Sequence, residues 1–130
     1  LYAGGWIMLE LYDIIWRDKE VVGCLEYNTE KKQFHAYLRK GARGNPRGLF
    51  GILRTDTEVD DRRVRAYFDD CVVPKTRQNI DDILKHIGLP YYDQWEIYKH
   101  NSGRNVSDYA SIRFRGTSDR DGFFRPESEM

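Results

Sequence analysis

Residues 9–38 constrain the fold more than any other part of the chain. Leu9 to Trp16 is rich in aliphatic and aromatic side chains and reads as a strand, and Arg17-Asp18-Lys19 is a polar turn. Glu20 to Tyr27 reads as a second strand, Asn28-Thr29-Glu30-Lys31 as the next turn, and Gln33 to Leu38 as a third strand. Strand side chains alternate with period two, so Phe34, Ala36 and Leu38 share one face. Three consecutive strands with turns this short make an antiparallel meander.

The pattern then changes. Gly41, Gly44, Gly48 and Gly51, with Pro46, punctuate Lys40 to Gly51 and predict a mobile loop without regular structure. Asp60 to Asp70 reads as a helix with Val64, Tyr67 and Phe68 on one face. Pro74 breaks the chain. A second helix is expected from an N-cap at Thr76 to Ile87, with Ile80, Ile83, Leu84 and Ile87 as its apolar stripe and Gly88 as its C-terminal cap. A third starts at Asp93-Gln94-Trp95-Glu96, a capping-box pattern, and runs to about Asn101. Tyr109 to Phe114 reads as a closing strand, with Ala110, Ile112 and Phe114 on one face. The fold class is therefore α+β: an N-terminal antiparallel β-meander, about three helices and a closing strand. Residues 9–115 form the single domain. Residues 1–8 are expected to be an extension or tag remnant, with Met8 a candidate natural initiator. Residues 116–130 are polar, lack periodicity and are expected to be flexible, although Phe123 and Phe124 offer docking groups.

At 130 residues the chain can bury one core without staples. Its 21 basic and 21 acidic side chains cancel, which removes any global attraction to nucleic acid or an anionic membrane and leaves only local patches. No apolar run approaches the roughly 20 residues of a membrane span, and Leu1 to Ile7 is too short and lacks the basic start of a secretory signal. Cys24 and Cys71 both sit in apolar surroundings, so buried free thiols, a reducing compartment and a cytoplasmic location are expected.

Few residues carry chemistry. Arg39, Lys40, Arg43 and Arg47 make the glycine loop basic, and arginine forks pair with phosphates or carboxylates. The loop reads as a solvated connection or as a contact for a protein or nucleic acid. It is not a Walker loop, because no Gly-Lys-Ser/Thr follows. His35, His86 and His100 lack neighbours at metal-ligand spacing and are expected at the surface. Asp60-Asp61, Asp69-Asp70 and Asp81-Asp82 are adjacent pairs whose members diverge on a helix, and Asp60-Asp61 fits a helix N-terminus. Arg77 and Arg104 are expected either to form structural ion pairs, with Asp108 or with Asp69-Asp70, or to contact a partner. Tyr91 and Tyr92 beside Trp95 suggest a binding patch, with Trp95 itself suited to the core. No Ser-His-Asp or Cys-His grouping appears, so no catalytic residues, metal ligands or cofactors are expected.

One ordered set of motifs resembles the small N-terminal subdomain of HipA-type toxin kinases. It comprises Val22-Gly23 with Leu25, then Phe34 and Tyr37. An aromatic-ended helix (Tyr67-Phe68) follows, leading to Pro74-x-x-Arg77. An isoleucine-leucine helix, a helix ending at Gly103, and Asp108 before a strand complete the set. The similarity covers roughly residues 9–115, with Cys71-Val72-Val73-Pro74-Lys75 where the family has a leucine-rich motif and with no kinase body. The resemblance implies a non-catalytic module that binds and regulates a kinase-like partner in a prokaryotic or phage toxin–antitoxin-like system. Arg39, Lys40, Arg43, Arg47, Arg77, Tyr91, Tyr92 and Arg104 are the candidate partner-binding residues. The competing expectation is a phage or mobile-element protein that inhibits a host nucleic-acid enzyme, or binds nucleic acid, through the basic loop.

Overall fold

The computed structural model describes residues 9–51, 57–105 and 108–118. The meander forms as the alternation requires, with strands β1 (Leu9–Trp16), β2 (Glu20–Asn28) and β3 (Gln33–Leu38). A short edge strand β4 (Glu58–Val59) and the closing strand β5 (Ala110–Ser118) complete an antiparallel sheet of order β4-β3-β2-β1-β5. The closing strand runs four residues beyond Phe114. It does so because β1 offers a full pairing edge from Trp16 opposite Ala110 to Leu9 opposite Ser118, with a bulge near Leu11 and Tyr12. The expected extension (residues 1–8) and the tail from residue 119 lie outside the described residues.

Four helices accompany the sheet among the described residues: α1 (Arg47–Phe50), α2 (Asp61–Cys71), α3 (Ile80–Ile87) and α4 (Gln94–His100). Asp60 caps α2 by accepting from the Arg63 amide, as its sequence position predicts. Asp61 accepts from the Phe34 amide at 2.9 Å and pairs with Arg65, which ties the helix entrance to β3. Asp93 caps α4 by accepting from the Glu96 amide.

Two expectations about chain path are corrected. The second predicted helix does not begin at Thr76. Residues 74–79 form turns (Arg77 amide to Pro74 carbonyl, 3.1 Å), the Tyr92 hydroxyl holds the preceding Val73 carbonyl at 2.8 Å, and the helix starts only at Ile80. Gly88 ends it at φ +85°, a left-handed cap that disfavours any residue with a Cβ. The basic glycine loop is not free of regular structure either. Pro46 accepts from the amides of Leu49 and Phe50 to start α1, and Ala42, Leu49 and Phe50 are buried.

The core lies on the face carrying Tyr12, Ile14, Leu25, Phe34, Ala36 and Leu38, closed by Val64, Tyr67 and Phe68 of α2, Trp95 and Tyr98 of α4, and Phe50 of α1. It is strongly aromatic. Phe34 meets Phe68 edge-on at 5.1 Å and Trp95 at 4.9 Å, and Phe68 lies 4.3 Å from Tyr98. Trp95 is thus a core residue, as expected. The opposite face of the sheet is also closed to solvent, at Leu9, Leu11, Cys24, Glu26 and Tyr37. That overturns the expectation of a surface His35. It does point away from the aromatic core, but it is 7% exposed, lies 3.1 Å from Glu58 Oε1, and rests against the Tyr37 ring. His86 and His100 are exposed. Both thiols are free; burial pushes Cys24 up to about 12, and burial does the same to Cys71.

Candidate functional site

The sequence pattern places a polar turn after β1. The structure makes that turn one wall of a cleft. Arg17 and Asp18 both adopt positive φ (54° and 60°), the mirror-image conformation that suits a tight hairpin but disfavours non-glycine residues. Three contacts hold it. The Lys19 amide donates to the Trp16 carbonyl at 3.1 Å, the Arg17 amide donates to the Tyr109 carbonyl at 2.9 Å, and Arg104 grips Asp18 at 2.7 Å. That last pair corrects the expected partner of Arg104. The guanidinium lowers the Asp18 carboxyl below its usual range.

The Arg17 guanidinium lies 4.2 Å from the centre of the Tyr109 ring, and Trp16 meets the same ring edge-on at 5.8 Å. These rings form a right-angled corner at the mouth of a cavity of about 450 Å³. The other walls are Asn45 and Gly48 from the glycine segment, Tyr67 and Asp70 from α2, and Asp108. That volume lies in the range of ordinary ligand pockets, about 300–1,000 Å³.

Hydrogen bonds fix the Asp108 wall of the cavity. Asp108 accepts from the Tyr67 hydroxyl at 2.9 Å and from the Ala110 amide at 2.9 Å, and the Asn105 side-chain amide approaches it at 3.4 Å. Burial, with Tyr98, Cys71 and Asp108 nearby, raises the Tyr67 hydroxyl far above its usual range, so it stays protonated and donating. Asn45 is 8% exposed. Its amide nitrogen donates to the Gly51 carbonyl at 2.7 Å, while its carbonyl oxygen has no donor among the described residues. An orphaned buried acceptor costs about 1–3 kcal/mol. Neither Asp70 nor Asp108 makes an ion pair with a described residue.

Gly44 shapes the wall. A Cβ there would lie 2.0 Å from Cγ of Trp16. Gly44→Ala is therefore expected to push Trp16 out of the corner, shift its indole resonance in an NMR spectrum, and lower stability by about 1–3 kcal/mol. An unmoved Trp16 resonance and an unchanged urea midpoint would contradict this wall.

The sequence candidates divide into two groups. Arg39, Lys40 and Arg43 lie at the same end of the sheet as the cleft. The Arg39 amide donates to Val22, the Arg43 amide donates to Glu20 beside Trp16, and Gly44 follows against the Trp16 ring. Lys40 and Arg43 are exposed. Arg104 joins them through Asp18. The Arg47 side chain lies outside the described residues. None of the described candidates lines the cleft itself, and the remaining three lie on other elements. Arg77 donates to Asn79 within its own turn and pairs with neither Asp108 nor Asp69-Asp70; Asp69 instead takes the Gln94 amide. Tyr91 is 66% exposed, and Tyr92 is half-buried and pinned to Val73.

Sequence reading singled out neither Trp16, Arg17 nor Asn45 as site residues; it weighed Asp70 as one of a diverging carboxylate pair and as an arginine partner, and Asp108 as an arginine partner and a member of the HipA-type motif set. The available signal was the aromatic-basic pair Trp16-Arg17 at a strand end and a second aromatic, Tyr109, at the start of the closing strand. Among the described residues no group of three His, Cys, Asp or Glu side chains could hold a metal ion, and no helix is long and apolar enough to cross a membrane. No known protein family, no curated protein and no solved structure matches the chain.

Proposed function

We propose that this domain is a non-catalytic protein-interaction module that binds and regulates a kinase-like partner in a prokaryotic or phage toxin–antitoxin-like system, acting in the cytoplasm. The observation that carries the binding role is the convergence at one sheet end of the Trp16–Tyr109 corner, the Arg17 and Arg104 guanidinium groups, and Arg39, Lys40 and Arg43. Tyr, Trp and Arg are the residues that dominate interface hot spots. Tyr109 is 61% exposed although its ring is large enough to bury, which suits an anchor awaiting a partner. The class of partner rests on the resemblance to the HipA-type subdomain. The cytoplasmic location rests on the two free thiols.

A second reading is favoured by the exposed Lys40 and Arg43: a phage or mobile-element protein that binds nucleic acid, or blocks a host nucleic-acid enzyme, through this segment. The carboxylates of Asp18, Asp70 and Asp108 at the same end oppose phosphate binding.

Affinity capture from the encoding organism's lysate separates the two readings. Wild type and Lys40→Ala/Tyr109→Ala are compared with and without nuclease. A kinase-like protein retained after nuclease and lost with the double variant is the expected result. Recovery that collapses with nuclease, or falls steeply with salt and with Arg43→Ala, would replace the first reading by the second.

A further inference from the structure

We propose that a second cavity, lined by the next two residues of the turn that carries Arg17, binds one phosphate monoester on the partner protein. This deepens the protein-binding reading and rests on it.

Strand alternation builds the floor of this cavity. Ile15 of β1 stands opposite Val21 of β2 and Ser111 of β5, and Arg113 follows on the same face two residues after Ser111. All four line a space of about 310 Å³. Lys19 closes it from the turn, and Arg104 from the segment after α4. The Ile112 amide donates to the Ser102 carbonyl at 2.7 Å, which ties that segment to β5.

Three cations, Lys19, Arg104 and Arg113, face a single lining carboxylate, Asp18. Lys19 makes no ion pair with a described residue. Arg104 uses two N–H contacts on Asp18, and Arg113 uses one on Asp13. A guanidinium carries five N–H bonds, so each can serve a second anion. Ser111 is 5% exposed, and its hydroxyl, with no hydrogen bond to a described residue, is a further donor on the wall. Asp18 does not oppose one anionic guest, because Arg104 already holds it at 2.7 Å.

Converging donors with an excess of positive charge suit a compact oxyanion. A phosphate monoester carries about 1.5 to 2 negative charges at pH 7 and three strong acceptor oxygens. A nucleic-acid strand presents phosphate after phosphate and needs a row of cations. Here the cations meet at one small cavity, and the neighbouring cleft carries the Asp70 and Asp108 carboxylates, which repel a next phosphate.

The test uses the whole protein and an acetylated, amidated peptide, Gly-Ala-phosphoserine-Ala-Gly. The comparisons are the same peptide with serine and a short oligothymidylate. In an NMR titration the phosphopeptide is expected to shift the backbone amides of Lys19, Ser111 and Arg113. It should bind about tenfold more tightly than the serine peptide, and its affinity should rise as the phosphate loses its second proton near about pH 6. Lys19→Ala, at an exposed position, should weaken it about fivefold with an unchanged thermal midpoint. Equal binding of the two peptides, shifts confined to other surfaces, no binding, or tighter binding of the oligothymidylate would overturn the proposal. Capture of the partner undiminished by phosphatase treatment of the lysate and by Lys19→Ala would overturn it while leaving the protein-binding reading standing. Loss of all nuclease-resistant capture, with the phosphopeptide still held at Lys19 and Ser111, would remove that reading and leave the phosphate site.

Discussion

Between about pH 10 and 12 the protein is expected to lose its fold. Burial raises the hydroxyls of Tyr67 and Tyr98 far above their usual range, and burial pushes the Cys24 thiol up to about 12. Each is an acid whose neutral form the folded state prefers. Once the pH exceeds the ordinary values, near 9 for the thiol and 10 for the phenols, the unfolded chain releases these protons and the folded chain retains them. The folded state then binds more protons, so stability, full at lower pH, falls as pH rises. Each group contributes about 1.4 kcal/mol per pH unit, so the three together remove about 4 kcal/mol per unit above pH 10. A domain of this size has about 5–15 kcal/mol in total. Urea midpoints followed by circular dichroism from pH 7 to 12 should stay level to about pH 9 and then drop steeply. A level profile to pH 11 would mean that these groups are solvated.

Phe34→Ala should cost about 3–5 kcal/mol and lower the melting temperature by about 10–20 °C. The ring is buried between the β-meander and helices α2 and α4, at 4.6 Å from Tyr27, 5.1 Å from Phe68 and 4.9 Å from Trp95, with Arg65 above it at 5.1 Å. Its removal opens a cavity among rigid rings that cannot collapse easily. Tyr91→Ala, at a position 66% exposed, should change stability by no more than about 0.5 kcal/mol. Equal effects of the two substitutions in a calorimeter would show that Phe34 is not where the sheet and helices meet.

The strands were legible because period-two alternation and short turns act locally: Leu9–Trp16 and Gln33–Leu38 end where the pattern ends. What alternation cannot convey is what covers each face, which is why His35 falls on the predicted side of β3 yet is buried there. Glycine density hid α1, although Pro46 followed by Leu49-Phe50 carries a helix start and an apolar anchor. Thr76 looks like a cap, but the Tyr92 hydroxyl on Val73, nineteen residues away in sequence, holds that segment in turns. The cleft was the least legible part. Its walls come from residues 16–17, 45–48, 67–70 and 108–109, brought together by the pairing of β1 with β5, the seating of Gly44 on Trp16 and the Tyr67–Asp108 hydrogen bond. No local pattern encodes that meeting.

The most direct test is hydrogen–deuterium exchange of the protein alone and with its captured partner. Binding at the cleft end of the sheet predicts new protection at Trp16 to Glu20, Arg39 to Asn45 and Asp108 to Ala110, with α3 unchanged. Protection confined to α3 or to the Tyr91–Tyr92 segment, with the Trp16–Tyr109 corner exchanging as freely as before, would contradict it.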